Sequence, residues 1–325
     1  MSFYFFYFCN LIFIIILFQN SKKIALVTGL YKNNFNTTPL VGGLGIYFFF
    51  LLGTINIYFL DSNLILQNIS LLIVMSFIFL IGLLDDILNI DYKARLILFF
   101  VILTIFMKLN NIYLIDNLYF ETFNKTFILG NISFFITPLF IMLLINSMNM
   151  ADGINGIASL IFLSILFILF NHSNQLNIFL TFVVIALIIF LYFNLNNKIY
   201  LGDSGVYFIS SFLSFYVINE YKFGSLGLSC EKIFLIFMIP GIDMFRLFCV
   251  RLYNKKNPFK GDLNHFHHLL INKFNIKKSL LIYISVIIWP NMLSRFFGFE
   301  SYLLIIFNLV IYCLFIKYLK KSEIS

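Results

Sequence analysis

The stretch LQNISLLIVMSFIFLIGLLDD, residues 66–86, joins one long apolar run to two adjacent acidic side chains. Residues 66–84 are long enough to cross the hydrocarbon core of a bilayer as an α-helix. Asp85 and Asp86 follow where that helix would leave the membrane, and acidic groups at this depth are costly and usually functional. The stretch therefore predicts a membrane-spanning helix with a polar site at one end.

Apolar runs of this kind recur along the whole chain. Of its 325 residues, 61% are hydrophobic and 11% are charged, whereas a soluble domain carries roughly 25% charged residues. Because no soluble domain separates the runs, we expect residues 1–325 to form one all-α, polytopic membrane domain. The eleven predicted spans are residues 3–18, 40–60, 66–84, 94–108, 132–148, 156–171, 176–195, 204–219, 232–253, 279–297 and 300–318.

The distribution of basic residues predicts the orientation of these spans, because cytoplasmic loops are enriched in Lys and Arg. With the N-terminus outside, sixteen of the 22 Lys and Arg residues fall in inner loops or the C-terminal tail. Two more lie within spans, and the outer segments receive only four: Lys108, Lys125, Lys222 and Lys232. We therefore expect residues 3–18 to be a retained anchor and the C-terminus to be cytoplasmic.

Five polar segments lie at or near the ends of spans, and this orientation places all of them on the cytoplasmic side. They are Asp85–Asp86, Asn146–Asn155, Gly202–Gly205, Asp243 and Asp262–His268. Polar groups gathered at one face of an otherwise apolar protein predict a single site there that can bind a metal and react.

The first segment pairs two carboxylates with a cation. Asp85 and Asp86 can bind a divalent metal or accept a proton. Arg95 begins the next span, would face them, and suits a phosphate. The alternative is a solvated turn in which the acids cap helices.

The second segment, Asn146-Ser-Met-Asn149-Met-Ala-Asp152-Gly-Ile-Asn155-Gly, interleaves amides, a carboxylate and glycines between two spans. Its amides can ligate a hard cation or bind a polar head group. The alternative is a capped re-entrant turn.

The third segment, Gly202-Asp203-Ser204-Gly205, directly precedes a span. Asp203 could hold Mg²⁺ while the free N–H groups of the helix N-terminus bind phosphate oxygens. The alternative is an ordinary helix cap.

The last two segments carry histidine and a buried ion pair. Three of the four histidines are His265, His267 and His268, and contact with phosphate fits them better than zinc, because no thiolate is near. The alternative is a chance surface cluster. Asp243 is followed one turn later by Arg246, which allows a simple ion pair.

Together these motifs resemble the polyprenyl-phosphate N-acetylhexosamine-1-phosphate transferase family, glycosyltransferase family 4. The resemblance runs in order over nearly the whole chain. It consists of Pro39-Leu-Val-Gly42-Gly43 for the family's early loop, Asp85-Asp86 for its Asp-Asp motif, residues 146–156 for its Asn/Asp-rich loop, Gly202–Gly205 for its metal motif, and His265-Phe-His267-His268 for its His-x-His-His loop.

Two details refine this resemblance. The histidine loop, preceded by Asn257-Pro-Phe, is more similar to the surface-polysaccharide branch than to the branch that uses the peptidoglycan pentapeptide precursor. Asn155 stands where the bacterial motif usually has Asp, which puts in doubt any mechanism that needs a carboxylate there.

The resemblance implies that a UDP-N-acetylhexosamine donates its sugar 1-phosphate to polyprenyl (undecaprenyl) phosphate, with release of UMP, at the cytoplasmic face of the plasma membrane. This would be the first membrane step of a cell-surface polysaccharide. The implied site comprises Mg²⁺ (or Mn²⁺) ligands Asp203 and Asn149, candidate catalytic residues Asp85, Asp86, Asp152 and Asp203, and substrate contacts Arg95, Asn146, Asn155, His265, His267 and His268. A homodimer is compatible with the sequence, and nothing points to a nucleic-acid partner.

Two alternatives stay open. A transporter for a cation or polar solute would also need carboxylates in the membrane, although it should place them near mid-bilayer and open to both sides. Within the enzyme class, the alternative is a phospho-N-acetylmuramoyl-pentapeptide transferase.

Overall fold

The computed structural model describes residues 2–31, 38–171, 176–257 and 262–321. Pro258 and Phe259 of the Asn257-Pro-Phe motif, the predicted inner lysines Lys32 and Lys260, and C-terminal residues 322–325 lie outside the described residues. In chain order the helices are α1 (Ser2–Gln19), α2 (Ser21–Thr28), α3 (Gly42–Leu60), α4 (Ser62–Leu88), α5 (Tyr92–Leu109), α6 (Ser133–Ala151), α7 (Ile157–Leu169), α8 (Asn177–Leu195), α9 (Gly202–Phe223), α10 (Cys230–Tyr253), α11 (Phe266–Lys273), α12 (Ile276–Phe297) and α13 (Ser301–Lys321).

The helices confirm the predicted class, an all-α polytopic membrane protein. Among the described residues, seven helices are long and apolar enough to cross a membrane, and α1 with α2, bent by 68°, makes an eighth if the pair is one span. Each of the eleven predicted spans coincides with a helix. The three that do not qualify by length and composition are α5, α7 and α9, which are short or carry several charged side chains.

Helix α9 lies at the centre of the bundle. Its residues are buried without interruption from Ser204 to Glu220, and it packs against α3, α4 and α6. The hydroxyls of Ser210 and Ser214 donate to carbonyls one turn earlier, at 2.6 and 2.8 Å. These small side chains satisfy their own polar groups and let neighbouring helices approach closely, as is common in membranes.

Helix α4 approaches α9 closely at Gly82. A Cβ atom at this position would lie 2.6 Å from the Cα of Ser204, so a larger residue would push the helices apart. This contact brings the end of α4 beside the beginning of α9, and therefore brings Asp85 and Asp86 beside Asp203.

The early loop resembling Pro-x-x-Gly-Gly supports the same junction. The N–H groups of Gly42 and Gly43 donate to the carbonyls of Tyr200 and Leu201 at 2.9 and 2.8 Å, and Tyr200 N–H donates to Pro39 at 2.8 Å. This loop therefore fixes the segment that enters α9.

A β-hairpin, which the sequence did not predict, follows the C-terminal end of α5, opposite the end that carries Arg95. Strands β1 (Asn117–Phe120) and β2 (Lys125–Ile128) pair antiparallel between the 3-10 turns Asn111–Tyr113 and Gly130–Ile132. The Glu231 carboxylate at the start of α10 accepts hydrogen bonds from the N–H groups of Glu121 and Thr122, both at 3.1 Å. The hairpin is thus fixed to the bundle far from the Asp-Asp motif.

Candidate active site

The N-terminus of α9 is occupied by the carboxylate of Asp86. Asp86 Oδ1 accepts a hydrogen bond from Asp203 N at 2.7 Å, and Oδ2 accepts one from Ser204 N at 3.0 Å. A carboxylate is favoured here because these N–H groups have no partner within the helix. The N–H groups that were predicted to bind phosphate oxygens are thus bound in this structure by Asp86, whose side chain caps α9 from the end of α4.

Asp85 is buried and bound by three donors. Its Oδ1 accepts a hydrogen bond from Ile90 N at 2.9 Å, while Oδ2 accepts from Arg95 Nη1 at 2.5 Å and from the Tyr207 hydroxyl at 2.9 Å. Arg95 thus faces Asp85 as predicted, and its Nε is buried without a hydrogen-bond partner among the described residues. Tyr207 was missed, although it follows Asp203 by four residues and so shares its helical face.

A polar cavity of about 760 Å³ opens in front of this junction. It brings together six residues predicted for the site from three separate motifs: Asp85, Asp86, Asn149, Asp152, Asn155 and Asp203. Carboxylate and amide oxygens dominate this set, and they are the ligands preferred by hard divalent cations.

Within the ranges that the structure describes, no three His, Cys, Asp or Glu side chains are arranged to hold a metal ion by themselves. Mg²⁺ commonly takes only one or two carboxylates and completes its coordination with water and substrate phosphates. Asp203 and Asn149 on the wall of the polar cavity fit that pattern.

The Asn/Asp-rich segment forms a tight connection between α6 and α7. Gly156 N donates to the Asn194 side chain at 2.6 Å, and the Asn194 amide donates to Ile199 O at 2.8 Å. Asn155 donates its side-chain amide to Asn197. Asn194 and Asn197 were not predicted for the site. Their hydrogen bonds hold the Asn/Asp-rich segment as a tight turn, and residues of the same segment line the cavity.

A second, mainly apolar pocket of about 600 Å³ lies between α5, α6 and α10. Apolar and aromatic side chains form most of its wall, including Leu139, Met142, Leu143, Met244, Phe245 and Phe248. The five remaining residues predicted for the site line its polar end together with Asn149: Arg95, Asn146, His265, His267 and His268. Asn149 and Gly153 line both pockets, so the two share a wall.

The histidines form a cluster of contacting rings inside the protein, which excludes a chance surface cluster. The ring centroids of His265 and His267 are 5.4 Å apart, and those of His267 and His268 are 4.3 Å apart. His267 is 1% exposed, and neither ring nitrogen has a hydrogen-bond partner among the described residues. A Cβ atom on Gly153 would lie 2.0 Å from His267 Nε2, so this imidazole reaches the wall shared by the pockets.

Burial, together with the neighbouring His268 and His265, lowers the pKa of His267 to about 3. The ring is therefore neutral at neutral pH and offers one N–H donor and one acceptor. Burying a polar side chain without a hydrogen-bond partner is costly. Such a side chain is expected where a ligand supplies the missing partner.

The structure thus brings every residue predicted for the site to one of two adjoining pockets. The alternative for Asp243, an ion pair with Arg246, is confirmed at 2.8 Å. Asp243 lies behind the histidines, where its carboxylate contacts His265 Nδ1 at 2.9 Å. The individual roles predicted for the site residues stay predictions.

Comparison with known proteins agrees with this geometry. The model of glycosyl transferase family 4 matches residues 68–220, which include the Asp-Asp motif, the Asn/Asp-rich loop and Gly202–Gly205. A Thermotoga maritima protein is 28% identical over 290 residues, covering 87% of this chain and 83% of the relative. It is described as an undecaprenyl-phosphate alpha-N-acetylglucosaminyl 1-phosphate transferase.

Relatives with the same description are found in other bacteria. The protein of Escherichia coli strain K12 is 25% identical over 265 residues, covering 77% of this chain and 70% of the relative. That of Salmonella typhimurium is 25% identical over 269 residues, covering 77% and 71%. The family match, these relatives and the ordered motifs agree: the chain is similar to members of glycosyl transferase family 4, and among them to the polyprenyl-phosphate N-acetylhexosamine-1-phosphate transferases.

Proposed function

We propose that this protein transfers N-acetylhexosamine 1-phosphate from a UDP-sugar to undecaprenyl phosphate, forming undecaprenyl-diphospho-sugar and UMP. The observation that carries the proposal is the wall shared by the polar and apolar pockets at Asn149 and Gly153. A water-soluble donor and a lipid acceptor need two such environments, with their phosphates meeting where the pockets join.

The apolar pocket suits the acceptor. Its wall contains Met244, Phe245 and Phe248, while Arg95 stands at its polar end. A polyprenyl chain entering between α5, α6 and α10 would therefore bring its phosphate toward a guanidinium. Arg95 already binds Asp85, so this carboxylate would orient the arginine for the phosphate.

The polar cavity suits the donor diphosphate and its metal. Asp203 and Asn149 would hold Mg²⁺ or Mn²⁺, and the bound ion would cancel charge on the diphosphate. Asp86 would contribute indirectly, because its hydrogen bonds to Asp203 N and Ser204 N fix the start of α9. Asp152 and Asn155 line the same cavity and are proposed to position the donor.

The reaction needs little beyond alignment and charge stabilisation. An oxygen of the lipid phosphate attacks the β-phosphorus of the UDP-sugar and forms a new P–O bond. The P–O bond to the leaving group breaks, and UMP departs with the bond electrons. Neutral His267 at the shared wall can donate one hydrogen bond to a phosphate oxygen, and a neighbouring anion would raise its pKa and favour the charged ring.

All eleven predicted helices are proposed to cross the plasma (inner) membrane, with the N-terminus outside and the site at the cytoplasmic face. Labelling of single cysteines placed at Lys22 and Lys256 should then require access from the cytoplasm, because both follow the inner ends of spans. A cysteine at Lys125, in the hairpin, should react from outside. Cytoplasmic access at Lys125 would contradict the orientation and the cytoplasmic site.

The function is tested with purified protein, undecaprenyl phosphate and a panel of UDP-sugars. We expect UMP release and a lipid product whose mass increases by one N-acetylhexosamine 1-phosphate with one member of the panel. UDP-N-acetylmuramoyl-pentapeptide, the donor of the alternative enzyme, should give none. Solute uptake into vesicles containing the protein, without UMP release, would instead support the transporter.

A further inference from the structure

The carboxylate of Asp243 is buried in α10 and surrounded by donors. Only 4% of the residue is exposed. Asp243 accepts hydrogen bonds from the Tyr312 hydroxyl at 2.6 Å, Arg246 Nη2 at 2.8 Å and Phe266 N at 3.1 Å, and it pairs with His265 Nδ1 at 2.9 Å. A buried carboxylate is tolerated only when it is paired and hydrogen-bonded in this way.

These donors come from three separate parts of the chain. Tyr312 lies on α13, and Arg246 lies one turn after Asp243 on α10. Phe266 is the first residue of α11, and His265 is its N-cap. Arg246 adds two bonds, because Nη2 also donates to Asn264 O at 2.6 Å and Nε donates to the Tyr312 hydroxyl at 2.8 Å. The backbone of the histidine loop is therefore attached to α10 at two points, through Asn264 O to Arg246 and through Phe266 N to Asp243.

The same turn of α10 forms part of the apolar pocket. Met244, Phe245 and Phe248 line that pocket. Asp243 and Arg246, on the same stretch of helix, bind the histidine loop. Pro240 lies inside α10 just before this segment, and a proline removes a backbone hydrogen bond and permits a bend. One short helical segment thus carries both the pocket wall and the support of the histidines.

We propose that Asp243, Arg246 and Tyr312 are positioning residues that hold the histidine loop in place against the wall of the apolar pocket. None of the three lines either pocket. They set the position of His265 and, through Phe266, that of His267 at the shared wall. The proposal rests on the proposed function for its kinetic consequence, whereas its structural consequence can be measured independently.

The experiment compares Tyr312→Phe with the unmodified full-length protein and with Tyr302→Phe, a matched change at a more exposed tyrosine on the same helix. The first readout is amide hydrogen exchange of the peptide that contains Phe266, because its N–H donates to Asp243. Losing one buried hydrogen bond should speed this exchange about tenfold. Tyr302→Phe should leave it unchanged, and both variants should retain the melting temperature within a few degrees.

The second readout separates binding from chemistry. In Tyr312→Phe, KM for undecaprenyl phosphate should rise about five- to tenfold, because the histidine loop lines the acceptor pocket, while KM for the UDP-sugar stays within twofold. A purely structural role would instead lower active protein and leave both KM values unchanged. Asp243→Asn, which keeps the shape and loses the charge, should show the same pattern with a larger effect.

Unchanged exchange in both Tyr312→Phe and Asp243→Asn would overturn the proposal, as would faster exchange with unchanged KM for undecaprenyl phosphate. If no donor of the panel is turned over by the unmodified protein, the proposed function fails, and hydrogen exchange alone still decides whether these residues hold the loop. The two failures are therefore distinguishable.

Discussion

Replacing Asp203 by Asn is expected to lower kcat for UMP release by about a thousandfold or more, equivalent to roughly 4 kcal/mol in the barrier. The change removes the negative charge proposed to hold the metal against the donor diphosphate. The helix start should survive, because Asp86 binds the backbone N–H of Asp203 and not its side chain. The measurement is single-turnover and steady-state UMP release at saturating substrates.

The matched control for this change is Asp61→Asn. Asp61 caps the opposite end of α4, where its side chain accepts a hydrogen bond from Leu64 N at 3.1 Å, and Asn caps helices about as well as Asp. Its kcat should stay within twofold. A folded Asp203→Asn protein with near-normal kcat would contradict the role proposed for Asp203.

Removal of divalent cations is the second change with a large expected effect. Exhaustive chelation with EDTA should abolish turnover, because the described residues that line the cavity offer carboxylate and amide oxygens but no cationic side chain. The guanidinium of Arg95 is already bound to Asp85. Mg²⁺ or Mn²⁺ should restore activity, since hard cations prefer oxygen ligands.

The control for chelation is the melting temperature of the protein without substrates, which should change little, because the structure is held by its helices. Zn²⁺ should restore activity poorly at matched free concentration, since the Asp203 and Asn149 set contains neither imidazole nor thiolate. Full turnover after chelation would contradict the metal assignment while leaving the transferase activity itself intact.

Much of the architecture could be predicted from the sequence because membrane insertion depends on local properties. Apolar runs and basic loops are read over about twenty residues, so all eleven predicted runs coincide with helices. The polar segments were found for the same reason: a carboxylate or histidine beside an apolar run is visible without knowing its partner.

The partners themselves could not be predicted. Asp86 and Asp203 are 117 positions apart in the sequence. Only the folded structure, in which α4 and α9 meet at Gly82, shows that the Asp86 side chain caps α9. Tyr312 similarly reaches Asp243 across 69 positions. The apolar pocket was also missed, because in a chain rich in Phe and Ile its lining residues look like those that face lipid.

The wall shared by the two pockets has a consequence for the design of inhibitors. A molecule with a polar head in the cavity of Asp203 and an alkyl tail beside Phe245 would engage both pockets through one short linker. Once one half is bound, the other half is held near its own pocket at an effective concentration in the millimolar range for short linkers. Two weak fragments, each selected for one pocket, could therefore combine into a tight ligand, provided that the linker passes Asn149 and Gly153 without disturbing His267.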